Sequence, residues 1–542
     1  MTNTSGSPEK REKALKKSLT VEDISSSPAN YDTGQKGDPG HGYKFAQKIG
    51  LFLGPLLFIL VLSMPTPADM SLKAKSVLAS TVWIATWWIT EAIPIPATSL
   101  LPMVLFPLTG TQNIKATTAA YGSSVVFLFL GGFMIAMAME RWNLHRRIAL
   151  TIIRAIGASS KRIILGFMIA TGFLSMWISN TATTMMLTPI GLAVISQIST
   201  MIKEQSLGEA DVSPAKFNFG KALMLGIAYA ASIGGVATII GSPPNAIFVG
   251  LVNKMWGKQI SFATWMLYGT PLSAVAMLCA WYYLTNIAFP LELKELPGGT
   301  GVIEGELKKL GSISRQERQV LVVFTLVAIL WLTRSFVLTK FMPLINDTTI
   351  AIFGALLLFL MPANLKKGQF ILDWDTAVKV PWGILLLFGG GISLAGGFAS
   401  SGLATWLANS LAGLKGVTIV IIVLAVVTMT IFLTEVTSNT ATATMLMPVM
   451  AALAIAMGIH PYTLMITATT ACSYAFMLPV ATPPNAIVFG SGYITIPQMA
   501  KAGFWMNILG VILITILALY YLPLVWGITI TTTPSWASVN LG

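Results

Sequence analysis

The residues with chemistry to offer are Ser179-Asn180-Thr181 and Ser438-Asn439-Thr440, one polar step written twice inside apolar surroundings. The first copy reads SNTATTMMLTP from Ser179 to Pro189 and the second SNTATATMLMP from Ser438 to Pro448. Eight of these eleven positions are identical, at a separation of 259 residues. A second signature follows each copy: GSPPNAIFVG from Gly241 to Gly250, and ATPPNAIVFG from Ala481 to Gly490. Ser, Asn and Thr favour helix N-caps, so each step is expected to end one helix and begin another. The new helix then presents free N–H groups and a partial positive charge, and two such termini converging would cradle a carboxylate or similar anion.

The double prolines add the complementary chemistry. Pro243 and Pro244 cannot donate to the carbonyls of Ile239 and Ile240, and Pro483 and Pro484 likewise free those of Pro479 and Val480. Freed carbonyls beside Ser, Thr and Asn oxygens are hard, uncharged donors, which suit sodium in type. A lone SNT step would be read as helix packing, and a lone Pro-Pro as a kink. Both signatures, duplicated in the same order, point instead to one binding site built from two halves.

The elements that must position these residues are membrane helices. The 542-residue chain is 54% hydrophobic and only 10% charged, far below the ~25% charged of soluble domains. Thirteen apolar runs, from 47–64 to 503–527, approach or exceed the ~20 residues that cross a bilayer, and they do not alternate as barrel strands do. Runs 161–200 and 417–458 are about twice the length of one span and carry the SNT steps near their centres. Each is read as a re-entrant helical hairpin, leaving about eleven transmembrane helices. Residues 1–44 read as a disordered tail, held in the cytoplasm by Lys10, Arg11, Lys13, Lys16 and Lys17. The uncharged end, 531–542, is expected outside.

The repeat is inverted. At the same offset the segment from Phe127 aligns with the glycine-rich segment from Leu386. Residues 139–163 carry Arg141, Arg146, Arg147, Arg154, Lys161 and Arg162, whereas the matching 398–422 carry only Lys415. Opposite basic bias in equivalent loops places them on opposite membrane faces, an arrangement that puts a site at the midplane between the halves.

Several functions are excluded. The net charge of +13 is gathered in short segments between apolar runs, as in cytoplasmic loops, so nucleic acid is not a partner. The scattered His41, His145 and His460, with Cys279 and Cys472 in apolar runs, form no metal-ligand pattern. An enzyme would need a nucleophile–base pair inside the bundle, and a channel would not need twinned hairpins around one site. Glu435, in an apolar run three residues before the second SNT, has Met176 as its counterpart. It is therefore expected to tune the cavity or to pair with a basic residue. Glu91, at a helix break, can be read equally as structural or as functional.

On ATWWITEAIPI, FLFLGGF, both SNT motifs and both PPNAI segments, the chain resembles the divalent anion–sodium symporter (INDY-like) family over residues 45–527. The resemblance implies a homodimeric, all-α elevator transporter in the plasma membrane. Its scaffold would span 45–160 and 316–416, its transport domain 161–290 and 417–530, with a cytoplasmic linker over 291–315. It implies substrate contacts at Ser179, Asn180, Thr181, Ser438, Asn439, Thr440, Thr482 and Pro483. One sodium site would use Ser175, Ser179, Asn180 and Gly241; a second would use Thr434, Thr437, Asn439 and Ala481. The expected activity is sodium-coupled import of C4-dicarboxylates (succinate, fumarate, malate), with at least two sodium ions and no other cofactor. A sodium-independent dicarboxylate exchanger is the alternative, although it should carry fixed positive charge in the site. Because Ser242 faces Thr482 in the repeat, the substrate is expected to be held asymmetrically.

Overall fold

The computed structural model describes residues 43–157, 159–205, 213–214, 216–291, 301–411, 413 and 416–538. The tail expected over 1–44 therefore lies outside the described residues apart from its last two, and the tail expected over 531–542 is described to Ser538. Eight helices are long and apolar enough to cross a bilayer. They fall into two sets of four in the same order: Phe45–Ser63, Ser124–Arg141, Asn180–Ile202 and Phe262–Ala288, then Arg315–Phe341, Trp382–Ser401, Asn439–Ala456 and Ile496–Trp526. The shorter apolar helices Ile95–Leu108, Asp347–Leu360 and Ile419–Thr434 complete the bundle. Exposed leucines and isoleucines such as Leu56, Ile59 and Ile329 form apolar surface that lipid can cover and water would penalise.

The first half runs α1 (Phe45–Ser63), α2 (Leu72–Thr90), α3 (Leu101–Leu108), α4 (Ser124–Arg141) and α5 (Leu144–Ile156). It continues through α6 (Ser160–Ser175), α7 (Asn180–Gln205), α8 (Asn218–Gly235), α9 (Pro243–Trp256) and α10 (Phe262–Tyr282). After a linker helix, α11 (Gly301–Leu310), the second half runs α12 (Arg315–Thr333), α13 (Asp347–Leu360), α14 (Trp382–Ser401) and α15 (Leu403–Ser410). It ends with α16 (Ile419–Thr434), α17 (Asn439–Ala456), α18 (Pro461–Ala471), α19 (Pro483–Phe489) and α20 (Ile496–Ile516). The helices α10 and α20 each pass into a π-helical turn, at Tyr283–Ala288 and Leu517–Tyr521. A small antiparallel ribbon, β1 (Pro362–Asn364) with β2 (Gln369–Phe370), joins α13 to α14.

Local chemistry sets the helix starts. Ser261 accepts from the Thr264 N–H at 3.0 Å, Asn346 accepts from Thr349 at 2.9 Å, and Ser314 with Glu317 forms a capping box. One expectation needed revision. The runs 219–252 and 463–492, each counted as one span, are each two helices with a non-helical break, at 236–242 and 472–482. The backbone is interrupted at the double prolines, as the freed carbonyls led one to expect, and Pro243-Pro244 and Pro483-Pro484 open α9 and α19. A missing N–H costs nothing at that position.

The charged linker holds α11, clasped to α5 by arginines. Arg146 pairs with Glu306, and Arg147 Nε donates to Glu317 at 2.8 Å while its other nitrogens donate to the Leu310 and Gly311 carbonyls. Both helices escaped the hydropathy reading because their charged faces dilute the apolar ones.

Candidate functional site

Each hairpin breaks where the SNT step lies. The break in α6–α7 covers Met176–Ser179 and that in α16–α17 covers Glu435–Ser438, so α7 begins at Asn180 and α17 at Asn439. Ser179 Oγ accepts from the Ala182 N–H at 3.2 Å, as an N-cap should, whereas Ser438 makes no side-chain cap. The first hairpin packs tightly on α8: a Cβ added at Gly234 would collide with the backbone of Gly172.

All eight residues expected to contact substrate line one cavity of about 650 Å³: Ser179, Asn180, Thr181, Ser438, Asn439, Thr440, Thr482 and Pro483. Of the two expected sodium sets, Gly241, Thr437 and Ala481 also line it, together with the shared Ser179, Asn180 and Asn439. Ser175 and Thr434 do not; they lie fully buried behind it. The cavity thus collects two helix N-termini and two proline-opened helices, one of each from either half.

Behind the wall the halves repeat the same oxygen cluster. Ser175 Oγ touches Asn180 Oδ1 and donates to the Ala231 carbonyl at 2.7 Å. Thr434 Oγ1 lies 2.6 Å from Asn439 Oδ1 and 3.1 Å from the Cys472 carbonyl. Each hydroxyl has a single proton for two acceptor oxygens. In the first cluster Asn180 Oδ1 faces only acceptors. Turned over, its nitrogen would donate to Ser175 Oγ and, at 3.2 Å each, to the Gly241 and Ala231 carbonyls. Oxygens facing oxygens need either that turned amide or a cation, so the donor set fits a hard monovalent ion. The backbone leaves no room for side chains here. A Cβ at Gly235 would sit 2.7 Å from Asn180 Oδ1, and one at Gly241 would sit 2.6 Å from the Gly235 carbonyl.

Glu435 has no basic partner among the described residues. Its carboxylate accepts from the backbone N–H groups of Phe476 (2.7 Å), Met477 (2.9 Å) and Leu478 (3.1 Å), and from Asn507 Nδ2 (2.7 Å). It ties the second break to the tip of the second hairpin. In the first half Thr238 does the equivalent work, donating to the Met176 carbonyl at 2.5 Å and accepting from the Gly241 N–H at 3.0 Å. The expected asymmetry between Ser242 and Thr482 also has a physical form. Thr482 Oγ1 caps its own helix at the Asn485 N–H (3.3 Å), whereas Ser242 Oγ reaches across to Ser473 Oγ in the other half (2.9 Å).

The rim carries charge that the motifs did not reveal. Lys44, before α1, and Glu91, after α2, both line the cavity, and Gln47 Nε2 donates to the Glu91 carbonyl at 3.1 Å. Glu91 takes the left-handed conformation (φ 49°) where α2 ends, and it also lines the cavity. Exposure is lopsided between the halves. Trp177 at the first tip is buried among Phe262, Phe324 and Trp331. Its counterpart Val436 is 66% exposed, and Val480, which lines the same cavity, is 82% exposed. The site is shut on the flank of the first tip and open on the flank of the second.

A helical bundle of two similar halves around one cavity, to which each half contributes a polar SNT step, is the architecture of a membrane transporter. The chain belongs to the family described as the sodium:sulfate symporter transmembrane region, which it matches over residues 46–527. It is 49% identical over 493 residues to the sodium-dependent dicarboxylate transporter SdcS of Staphylococcus saprophyticus, covering 90% of this chain and 94% of that one. It is 50% identical over 492 residues to SdcS of Staphylococcus aureus, with the same coverage. Two solved transporters share the fold at low identity. Neisseria gonorrhoeae MtrF has a TM-score of 0.51 at 12% identity, over 87% of this chain and 97% of its own. Alcanivorax borkumensis YdaH has a TM-score of 0.54 at 13% identity, over 89% and 98%.

Proposed function

We propose that the protein is a secondary active transporter, not an enzyme, that couples sodium to the import of C4-dicarboxylates such as succinate, fumarate and malate. The observation that carries this reading is the duplicated oxygen cluster, Ser175–Asn180 and Thr434–Asn439, behind two helix N-termini that face one cavity. Sodium at each cluster would bring one positive charge to the base of each N-terminus. Two ions would then balance a dianion that carries no other compensation inside the wall. A dianion without them would meet the large desolvation cost of an unpaired charge in the barrier, which is why coupling would be strict. Substrate contacts fall to Ser179, Asn180, Thr181, Ser438, Asn439, Thr440, Thr482 and Pro483.

Alternating access by an elevator motion of 161–290 and 417–530 against a scaffold of 45–160 and 316–416, within a homodimer, fits the lopsided exposure of the two tips. With the N-terminus cytoplasmic, Lys44 and Glu91 put the open flank on the cytoplasmic side, and the C-terminus lies outside. Lys44 is the one basic residue lining the cavity among the described residues, and it sits at the exposed rim rather than at the N-termini. A dicarboxylate exchanger is therefore the reading to test against.

Succinate uptake into proteoliposomes under an inward sodium or potassium gradient, with and without trapped dicarboxylate, separates the two. Uptake driven by sodium into empty vesicles is expected. Uptake indifferent to sodium and dependent on trapped dicarboxylate would make the protein an exchanger.

A further inference from the structure

The asparagines of the two PPN segments do not line the cavity, yet they are placed alike in both halves. Asn245 and Asn485 are fully buried, in the first turns of α9 and α19. Asn245 Nδ2 donates back to the carbonyls of Thr238 (2.7 Å), Gly235 (3.2 Å) and Val236 (3.4 Å). Asn485 Nδ2 donates to those of Leu478 (3.0 Å) and Ala475 (3.1 Å). The separation of 240 residues that relates the asparagines also carries Gly235 onto Ala475 and Thr238 onto Leu478. The same amide therefore grips the same two carbonyls twice. Both Oδ1 atoms are buried without a hydrogen-bond partner among the described residues. Each side chain is thus held by its donors alone, and nothing in its surroundings requires the acceptor.

What these donors fix is the base of each break. Three residues beyond Thr238 lies Gly241, whose N–H donates to Thr238 Oγ1 and whose carbonyl lies near Asn180. Three residues beyond Leu478 lies Ala481, whose N–H donates to the Leu478 carbonyl at 3.2 Å. Gly241 and Ala481 are the backbone members of the two proposed cation sites. We propose that Asn245 and Asn485 are positioning residues, each setting the carbonyl geometry of one cation site, and that sodium affinity in each half depends on its own asparagine. The inference rests on the sodium-coupled reading above. Aspartate at either position would turn oxygen toward carbonyl oxygen, and serine is too short to span two carbonyls.

The test is sodium dependence in the full-length protein. Asn245→Ser and Asn485→Ser are compared with the unsubstituted protein for succinate uptake against sodium concentration, and for sodium-dependent protection from thermal unfolding in detergent. Each substitution is expected to raise the sodium concentration for half-maximal uptake and for half-maximal protection on the order of tenfold. The succinate KM at saturating sodium should stay within about twofold, since the anion-facing groups are untouched. Asn245→Asp and Asn485→Asp should shift sodium dependence at least as far. Unchanged half-maximal sodium with only a lower maximal rate would reduce the asparagines to fold support and overturn the inference. So would failure of both the Ser and the Asp variants to yield folded protein. Unsubstituted protein that ignores sodium in the same assays would instead sink the symport reading, a result recognised without any variant.

Discussion

Asn180 and Asn439 stand where each half changes roles: the backbone N–H starts a helix toward the cavity, and the side-chain oxygen joins the cluster behind it. Asn180→Ala or Asn439→Ala should therefore abolish sodium-driven uptake, while size-exclusion behaviour in detergent stays that of the folded protein. Normal uptake by either variant would contradict a site made of two halves. Glu435 acts differently, since its carboxylate satisfies three backbone N–H groups of the second break and Asn507. Replacing it by Gln turns donors against donors and should cost on the order of 2 kcal/mol of stability, seen as a lower melting temperature. An unchanged melting temperature would mean that the carboxylate is not the anchor of that break. Glu435 was legible in the sequence as costly and therefore meaningful, but not its partners. Three backbone N–H groups some forty residues away leave no trace in residue types. Asn245 and Asn485 stand in the PPNAI signature, but a buried amide and a packing residue read alike until the carbonyls it grips are in view.

At the scale of elements, the two hairpins and two proline-opened helices were readable because length, polarity and repetition all agreed on them. The break at each double proline was readable too, but not its extent, since freed carbonyls alone do not say how many residues leave the helix before the prolines start the next one. The amphipathic α5 and the linker helix α11 were missed for a related reason: their stability comes from packing and from Arg146 and Arg147 rather than from hydropathy. One element start is sensitive to pH. His460 caps α18, accepting from the Tyr462 N–H at 3.2 Å, and packs against Tyr462 and Trp536. Burial pushes its imidazole down to about 4 from an ordinary 6.5. The unfolded chain takes up this proton near pH 6.5 and the folded chain only near 4, so stability is full above the upper value and is lost as pH falls across that window. The loss reaches about 3 kcal/mol for one such group. His460→Asn keeps a capping side chain without the titration and should flatten the decline in melting temperature between pH 7 and pH 4.5. An equal decline in both proteins would show that His460 does not control it.

At the scale of the whole molecule, the halves are alike in order and unlike in exposure, and the difference is what makes one conformation of a transporter. Trp177 lies nearly parallel to Trp331 at 6.4 Å, with Phe262 4.5 Å from Trp331 and Phe324 edge-on to Trp177 at 5.0 Å. Asp347, ion-paired with Arg334 at 2.5 Å, holds the start of α10 through the Phe262 N–H at 2.8 Å. On the proposed division this cluster joins the scaffold helices α12 and α13 to the moving part, so it must part before the closed flank can open. Trp177→Ala should weaken that seal. A cysteine placed at Ile240, with Cys279 and Cys472 replaced, should then react faster with an impermeant maleimide added outside than it does with Trp177 present. Equal reactivity would place the seal elsewhere. The two-fold repeat was open to reading in the sequence, but the lopsided state was not, because equivalent motifs carry no mark of which flank is shut.

The most direct measurement is the number of sodium ions moved with each succinate, taken from the opposing succinate gradient that just halts net flux into proteoliposomes at a set sodium gradient and zero membrane potential. Two clusters of equal construction predict at least two sodium ions per dianion, so the halting succinate ratio should rise at least as the square of the sodium ratio. A halting ratio that ignores the sodium gradient, or that rises only in proportion to it, would contradict a site in which each half brings its own cation.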